Sequence, residues 1–129
     1  MTQLQTPLAR ARGLGAAGEG VGHFWAQRLT ALALIPLTLW FCFSIAMLPQ
    51  ANYAAVVGWM QSPFNAVLSM LTLLVSLYHG QLGVQVILED YVSSSLIRLA
   101  AIVITQFLSV LLAALGLFSI LKISLATTL

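Results

Sequence analysis

The sequence predicts an all-α membrane protein: three transmembrane helices, N-terminus cytoplasmic, contributing to a larger hetero-oligomeric helix bundle. Three observations carry that expectation. Hydrophobic residues make up 60% of the 129 positions and charged residues 6%, and the mean hydropathy of +1.01 lies far outside the range of soluble domains. The apolar residues gather into three runs, at about residues 29–48, 64–88 and 99–121, each long enough to cross a ~30 Å hydrocarbon core as a helix. Finally, the few ionisable residues sit at the ends of these runs, with the exception of one histidine.

The first 28 residues read as a cytoplasmic N-terminal arm, and residues 29–129 as the three-helix anchor domain. Arg10, Arg12 and Arg28 precede the first span and Arg98 lies in the second connection, whereas only Lys122 falls opposite; this asymmetry orients the N-terminus and the Glu89 to Arg98 turn toward the cytoplasm. The length of the arm and its Glu19 argue against a cleaved signal peptide, and the lack of serine argues against a transit peptide. The connection from Pro49 to Pro63 carries no charge. Trp25, Tyr53, Trp59 and Tyr91 suit the interfacial belt. Cys42, the one cysteine, lies inside the first span with nothing to pair with, so disulfide chemistry is set aside. No phosphate loop or zinc spacing is present, and a net charge of +2 without a basic patch offers no nucleic-acid surface.

The second span holds the chemistry. An ionisable residue deep in a membrane helix is costly and defaults to a functional reading, and His79 lies about 16 Å along the helix from Asp90 at 1.5 Å per residue. At about 100° per residue, Thr72, Ser76, Gly83 and Asp90 fall within about 60° of His79. Small residues at Ser76, Gly80 and Gly83 make a clearing through which a flat macrocycle or another backbone approaches the helix. The residues leave two readings open: His79 binds a haem iron, or it hydrogen-bonds a neighbouring helix. Gln81 and Gln85 point away from this stripe, toward another helix of the complex.

Bis-histidine ligation needs a second imidazole, and His23, ahead of the first span, is badly placed to supply it; the second ligand belongs to another subunit or a second copy. Arg28 is suited to clamp a haem propionate or simply to snorkel, and His23 repeats that argument more weakly. Asp90-Tyr91 suits a quinone head, the phenol donating to a carbonyl oxygen and the carboxylate orienting it or relaying protons; the alternative is an interfacial tyrosine beside a solvated carboxylate. Glu89 stays solvated.

These residues carry a resemblance. The arm His23-Phe24-Trp25-Ala26-Gln27-Arg28 leading into the first span, His79 followed by Gly83, and then Asp90-Tyr91 together resemble the family of hydrophobic membrane anchor subunits of succinate dehydrogenase, respiratory complex II, of the bacterial type. The resemblance covers nearly the whole chain, and the spacing from the histidine to Asp-Tyr is its most specific element. It implies that His79 is an axial ligand of a b-type haem, that Tyr91 and Asp90 serve a ubiquinone site, and that Arg28 lies near the haem propionates. It also implies three partners: a cytochrome b556 subunit supplying the other histidine, an iron-sulfur subunit delivering electrons, and a flavoprotein subunit oxidising succinate. The setting it implies is the bacterial cytoplasmic membrane, ahead of the mitochondrial inner membrane. A fumarate reductase anchor shares this plan, and a purely structural anchor without cofactor is the alternative from another class. A proton-conducting subunit ranks last, because only one ionisable residue lies near mid-membrane.

Overall fold

The computed structural model describes Leu8, residues 18–50 and residues 52–126. Among the described residues the chain forms four helices and no strand: α1 (Gly18–Ala46), α2 (Tyr53–Met60), α3 (Pro63–Tyr91) and α4 (Ser95–Leu125). Gly20–Ala46 of α1, α3 and α4 are each long and apolar enough to cross a membrane, with 27, 29 and 31 residues. At 1.5 Å per residue they run about 40–47 Å, beyond the ~30 Å hydrocarbon core, so they tilt or protrude. Arg10 and Arg12, which enter the orientation argument, and much of the arm lie outside the described residues.

Two features differ in extent from the sequence expectation. Helix α1 is already formed at Gly18, because helix propagation needs only one further hydrogen bond per residue once a long apolar segment is helical; Gly20, Gly22, His23, Gln27 and Arg28 lower the local hydropathy without breaking it. The connection between the first two spans contains α2, eight residues long and too short to cross. Its first turn is capped by Asn52, whose Oδ1 accepts the Ala55 N–H at 2.8 Å, satisfying one orphan donor.

Helix α3 opens with Pro63 in its first turn, where the missing N–H costs nothing. It ends where Val92 turns extended (φ −99°, ψ 102°), and α4 resumes at Ser95, so the connection is only residues 92–94. The Arg98 guanidinium reaches back to the Val92 carbonyl at 3.5 Å, bracing this short turn.

Contacts fix an up-down-up order. Thr30 meets His79 while Trp40 meets Phe64, so α1 and α3 are antiparallel; Arg98 meets Val92 while Gly116 meets Leu73, so α3 and α4 are antiparallel too. Helix α3 is the middle element, with α1 and α4 each packed chiefly against it. The buried side chains among the described residues, Ala66, Ser69 and Leu82, all belong to α3. Gly116 allows close approach on the α4 side: a Cβ there would run into the Leu73 δ-carbons, the use small residues serve between membrane helices.

At the end opposite Asp90, an aromatic cluster joins three helices. Trp40 stacks on Trp59 at 5.8 Å between ring centroids, Phe41 meets Trp59 edge-on at 6.0 Å and Phe64 meets Trp40 edge-on at 6.4 Å. Trp59, read from the sequence as a belt residue, thus also ties α2 to α1. Away from these contacts, large apolar side chains such as Leu32, Phe43, Phe107 and Phe118 stand exposed. In a membrane such surface faces lipid or other helices.

Candidate functional site

The site is built where α1 crosses α3. His79, half-buried on α3, places Nδ1 2.9 Å from the Thr30 hydroxyl oxygen of α1. Thr30 Oγ1 is also 2.7 Å from the Ala26 carbonyl and 3.1 Å from the Gln27 carbonyl of its own helix. The other ring nitrogen, Nε2, has no hydrogen-bond partner among the described residues. A lone imidazole is therefore held at one nitrogen, deep in an apolar span, with the other nitrogen uncommitted.

The polar stripe divides between two surroundings. Gly83, one turn from His79, faces α1, where a Cβ would lie 3.8 Å from Gln27 Nε2; beside Gly80 nothing lies within 4 Å. Ser76 is exposed, and Thr72 donates to the Leu68 carbonyl at 2.7 Å. The clearing at Gly83 is thus taken up by the chain's own first helix, and the open side near His79 is at Gly80 and Ser76. We expect Gly83→Ala to be tolerated, since its Cβ makes ordinary contact. Gly83→Leu should overpack the α1–α3 crossing by about 1–3 kcal/mol and reduce the yield of assembled complex several-fold, as read by gel filtration in detergent; an unchanged yield would mean that α1 is free to move away.

On α1, His23, Gln27 and Thr30 follow helical spacing along one face. His23 Nε2 and Gln27 Oε1 are both buried without a partner among the described residues, which buried polar groups rarely tolerate. His23 is about 10 Å along α1 from Thr30 by helical rise, so His23 and His79 are not brought to one point. Among the described residues no three His, Cys, Asp or Glu side chains gather into a metal-binding group; toward a metal, this part of the chain offers a single imidazole.

Arg28 is set deeper than the mouth of the span. With Gln27 opposite Gly83 and Thr30 opposite His79, Arg28 is level with Gln81 and Leu82, about 12 Å along the bundle from Asp90. Its guanidinium lies 5.2 Å from the centroid of the Phe24 ring, a cation–π contact. Arg28 and His79 therefore share a depth, whereas Arg28 and the Asp90-Tyr91 pair do not meet. Asp90 is exposed and Tyr91, 84% exposed, closes α3. Gln85 Nε2 donates to Glu89 Oε1 at 2.8 Å one turn on, an internal partner where the sequence suggested another helix. Gln81 lines a groove of about 450 Å³ between α3 and α4 with Tyr78, Gln106 and Ser109, away from the His79 face. Thr30 is the site residue that the sequence reading passed over. Its spacing of seven from His23 and three from Gln27 was the available signal.

Comparison with known proteins shows the family. Residues 2–113 match the family described as succinate dehydrogenase/fumarate reductase transmembrane subunit. The chain is 35% identical over 92 residues to a succinate dehydrogenase hydrophobic membrane anchor subunit of Rickettsia felis, covering 70% of this chain and 76% of that one. It is 29% identical over 104 residues to the protein of that name in Rickettsia bellii, covering 81% and 83%, and 33% identical over 86 residues to that of Paracoccus denitrificans, covering 67% of each. With three apolar helices of spanning length and this match along most of its length, the chain belongs to the succinate dehydrogenase/fumarate reductase transmembrane subunit family, as a multi-pass inner-membrane protein.

Proposed function

We propose that this chain anchors a succinate:quinone oxidoreductase in the bacterial inner membrane, with its N-terminus and the 92–94 turn on the cytoplasmic side, holding one face of a b-type haem and part of a ubiquinone site. The observation that carries the proposal is His79: an imidazole about 16 Å inside an apolar helix, tied at Nδ1 and uncommitted at Nε2. That donor set fits haem iron, for which neutral imidazole is a common axial ligand, and a single imidazole fits a haem shared with a cytochrome b556 subunit. Arg28, within a turn of the depth of His79, with an aromatic ring beneath its guanidinium and no carboxylate against it among the described residues, is suited to a propionate. His23, ahead of Arg28 on α1 and with a buried Nε2 that has no partner among the described residues, would repeat that role more weakly. Ser76, on the exposed part of the stripe, leaves room for the macrocycle edge, and Gly83 sets how closely α1 approaches.

The haem, when bound, supplies a one-electron store beside the quinone. Tyr91 donates a hydrogen bond to a quinone carbonyl, which draws electron density onto that oxygen as two electrons arrive from the iron-sulfur subunit. Asp90 orients the phenol and passes protons in from water, so that quinone, two electrons and two protons become quinol. Succinate is oxidised by the flavoprotein subunit and does not touch this chain. The test is to purify the complex assembled with this chain and record its reduced-minus-oxidised spectrum alongside succinate:quinone reductase activity. A b-type spectrum with quinone-linked activity is expected; a complex lacking b-type absorption would overturn the haem assignment.

A second reading has its own support. The His79–Thr30 hydrogen bond joins two helices, which is the glue expected of a structural anchor without cofactor, and the spectrum of the complex carrying His79→Ala decides between them.

A further inference from the structure

We propose that Thr30 is a positioning residue that fixes both the tautomer and the ring orientation of His79, so that Nε2 is the nitrogen presented to iron. The inference rests on the reading of His79 as a haem ligand and goes beyond it by assigning a second residue, on a different helix, to the ligand's chemistry.

One proton decides the direction of the contact between Thr30 and His79. A threonine hydroxyl has a single hydrogen to donate and two lone pairs with which to accept. Thr30 Oγ1 lies 2.7 Å from the Ala26 carbonyl and 3.1 Å from that of Gln27, and carbonyls only accept; its hydrogen is committed to its own helix, the back-bonding that β-branched hydroxyl residues make in helices. The contact with His79 Nδ1 at 2.9 Å must then run the other way, with Nδ1–H donating to Oγ1. A neutral imidazole protonated at Nδ1 carries its free lone pair at Nε2, the atom without a partner among the described residues. Metal-bound histidines commonly donate their second ring N–H to a fixed acceptor, which sets the tautomer and raises the basicity of the ligating nitrogen.

The surroundings make this acceptor a rigid one. Back-bonding limits Thr30 to rotamers that keep Oγ1 over the preceding turn, and α1 is held to α3 one turn away by the approach of Gln27 to Gly83. Any movement of α1 relative to α3 therefore moves the acceptor and turns the imidazole about its Cβ–Cγ bond.

The experiment compares Thr30→Val and Thr30→Ser in the purified complex. Valine keeps the branched shape and removes the acceptor; serine keeps the acceptor. Two properties are read in assembled material: the position of the low-spin ferric haem signal by electron paramagnetic resonance, and the rate of haem transfer to excess apomyoglobin. Thr30→Val should shift the signal and speed haem loss about tenfold or more, the usual scale for removing a ligand's outer hydrogen bond, while Thr30→Ser stays within about twofold of wild type on that same scale. Wild-type signals and loss rates in both variants would overturn the proposal, as would equal changes in both, which would make Thr30 a packing residue. If Thr30→Val does not assemble, Thr30→Cys, with a sulfur that accepts only weakly, carries the same decision. His79→Ala in the same series keeps the two readings apart: retained b-type bands in that variant defeat haem ligation itself, whereas lost bands with an unaltered Thr30→Val complex defeat only the role of Thr30.

Discussion

Replacing His79 by alanine is expected to lower the haem content of the purified complex by more than about tenfold, since removal even of a ligand's outer partner costs that much. The nearest polar group left behind is the Thr30 hydroxyl, whose hydrogen is committed to the α1 backbone and whose neutral oxygen is a poor substitute for imidazole. The measurement is the reduced-minus-oxidised visible spectrum normalised to flavin. Added imidazole should restore part of the b-type absorption, because the alanine leaves a gap of the right shape beside Gly80, and that recovery separates ligand loss from misfolding. Unchanged bands would leave His79 as a helix-joining residue.

Tyr91→Phe is expected to reduce quinone-linked activity about tenfold, the equivalent of one net hydrogen bond of about 1–1.5 kcal/mol, while succinate oxidation with a soluble artificial acceptor remains. The ring is retained and only the hydroxyl is removed. Because Tyr91 is almost wholly exposed at the end of α3, the phenylalanine loses no internal packing, so the chain itself has no reason to unfold. A parallel fall in both activities would mean that the tyrosine holds the catalytic subunits to the membrane and does not bind quinone.

The three spans were legible because hydropathy is a local property, read correctly one window at a time. The extents of the helices were less so: Gly20, Gly22 and Arg28 depress the local average, yet the backbone continues through them from Gly18. Helix α2 was missed for a related reason, since eight residues capped by Asn52 carry little periodic signal. His79, Asp90 and Tyr91 could be singled out as individual residues, because charge and hydrogen-bonding capacity in an apolar run are visible in the sequence. Which residue answers His79 was not visible, as the register of α1 against α3 is tertiary information; the same register sets Arg28 level with Gln81 and Leu82 rather than at the mouth. The pairing of Trp40 with Trp59 was hidden for the same cause.

That only three side chains among the described residues are buried bears on how this protein's stability can be defined at all. With so little interior of its own, the bundle relies on lipid and on partner helices to cover its faces, and each partner that binds the exposed faces of α1, α3 and α4 adds stability that grows with the logarithm of its free concentration over its dissociation constant. A melting temperature for this chain is then a property of the mixture, rising with partner supply. Chains made in excess of their partners spend more time open and are the ones cellular proteases remove.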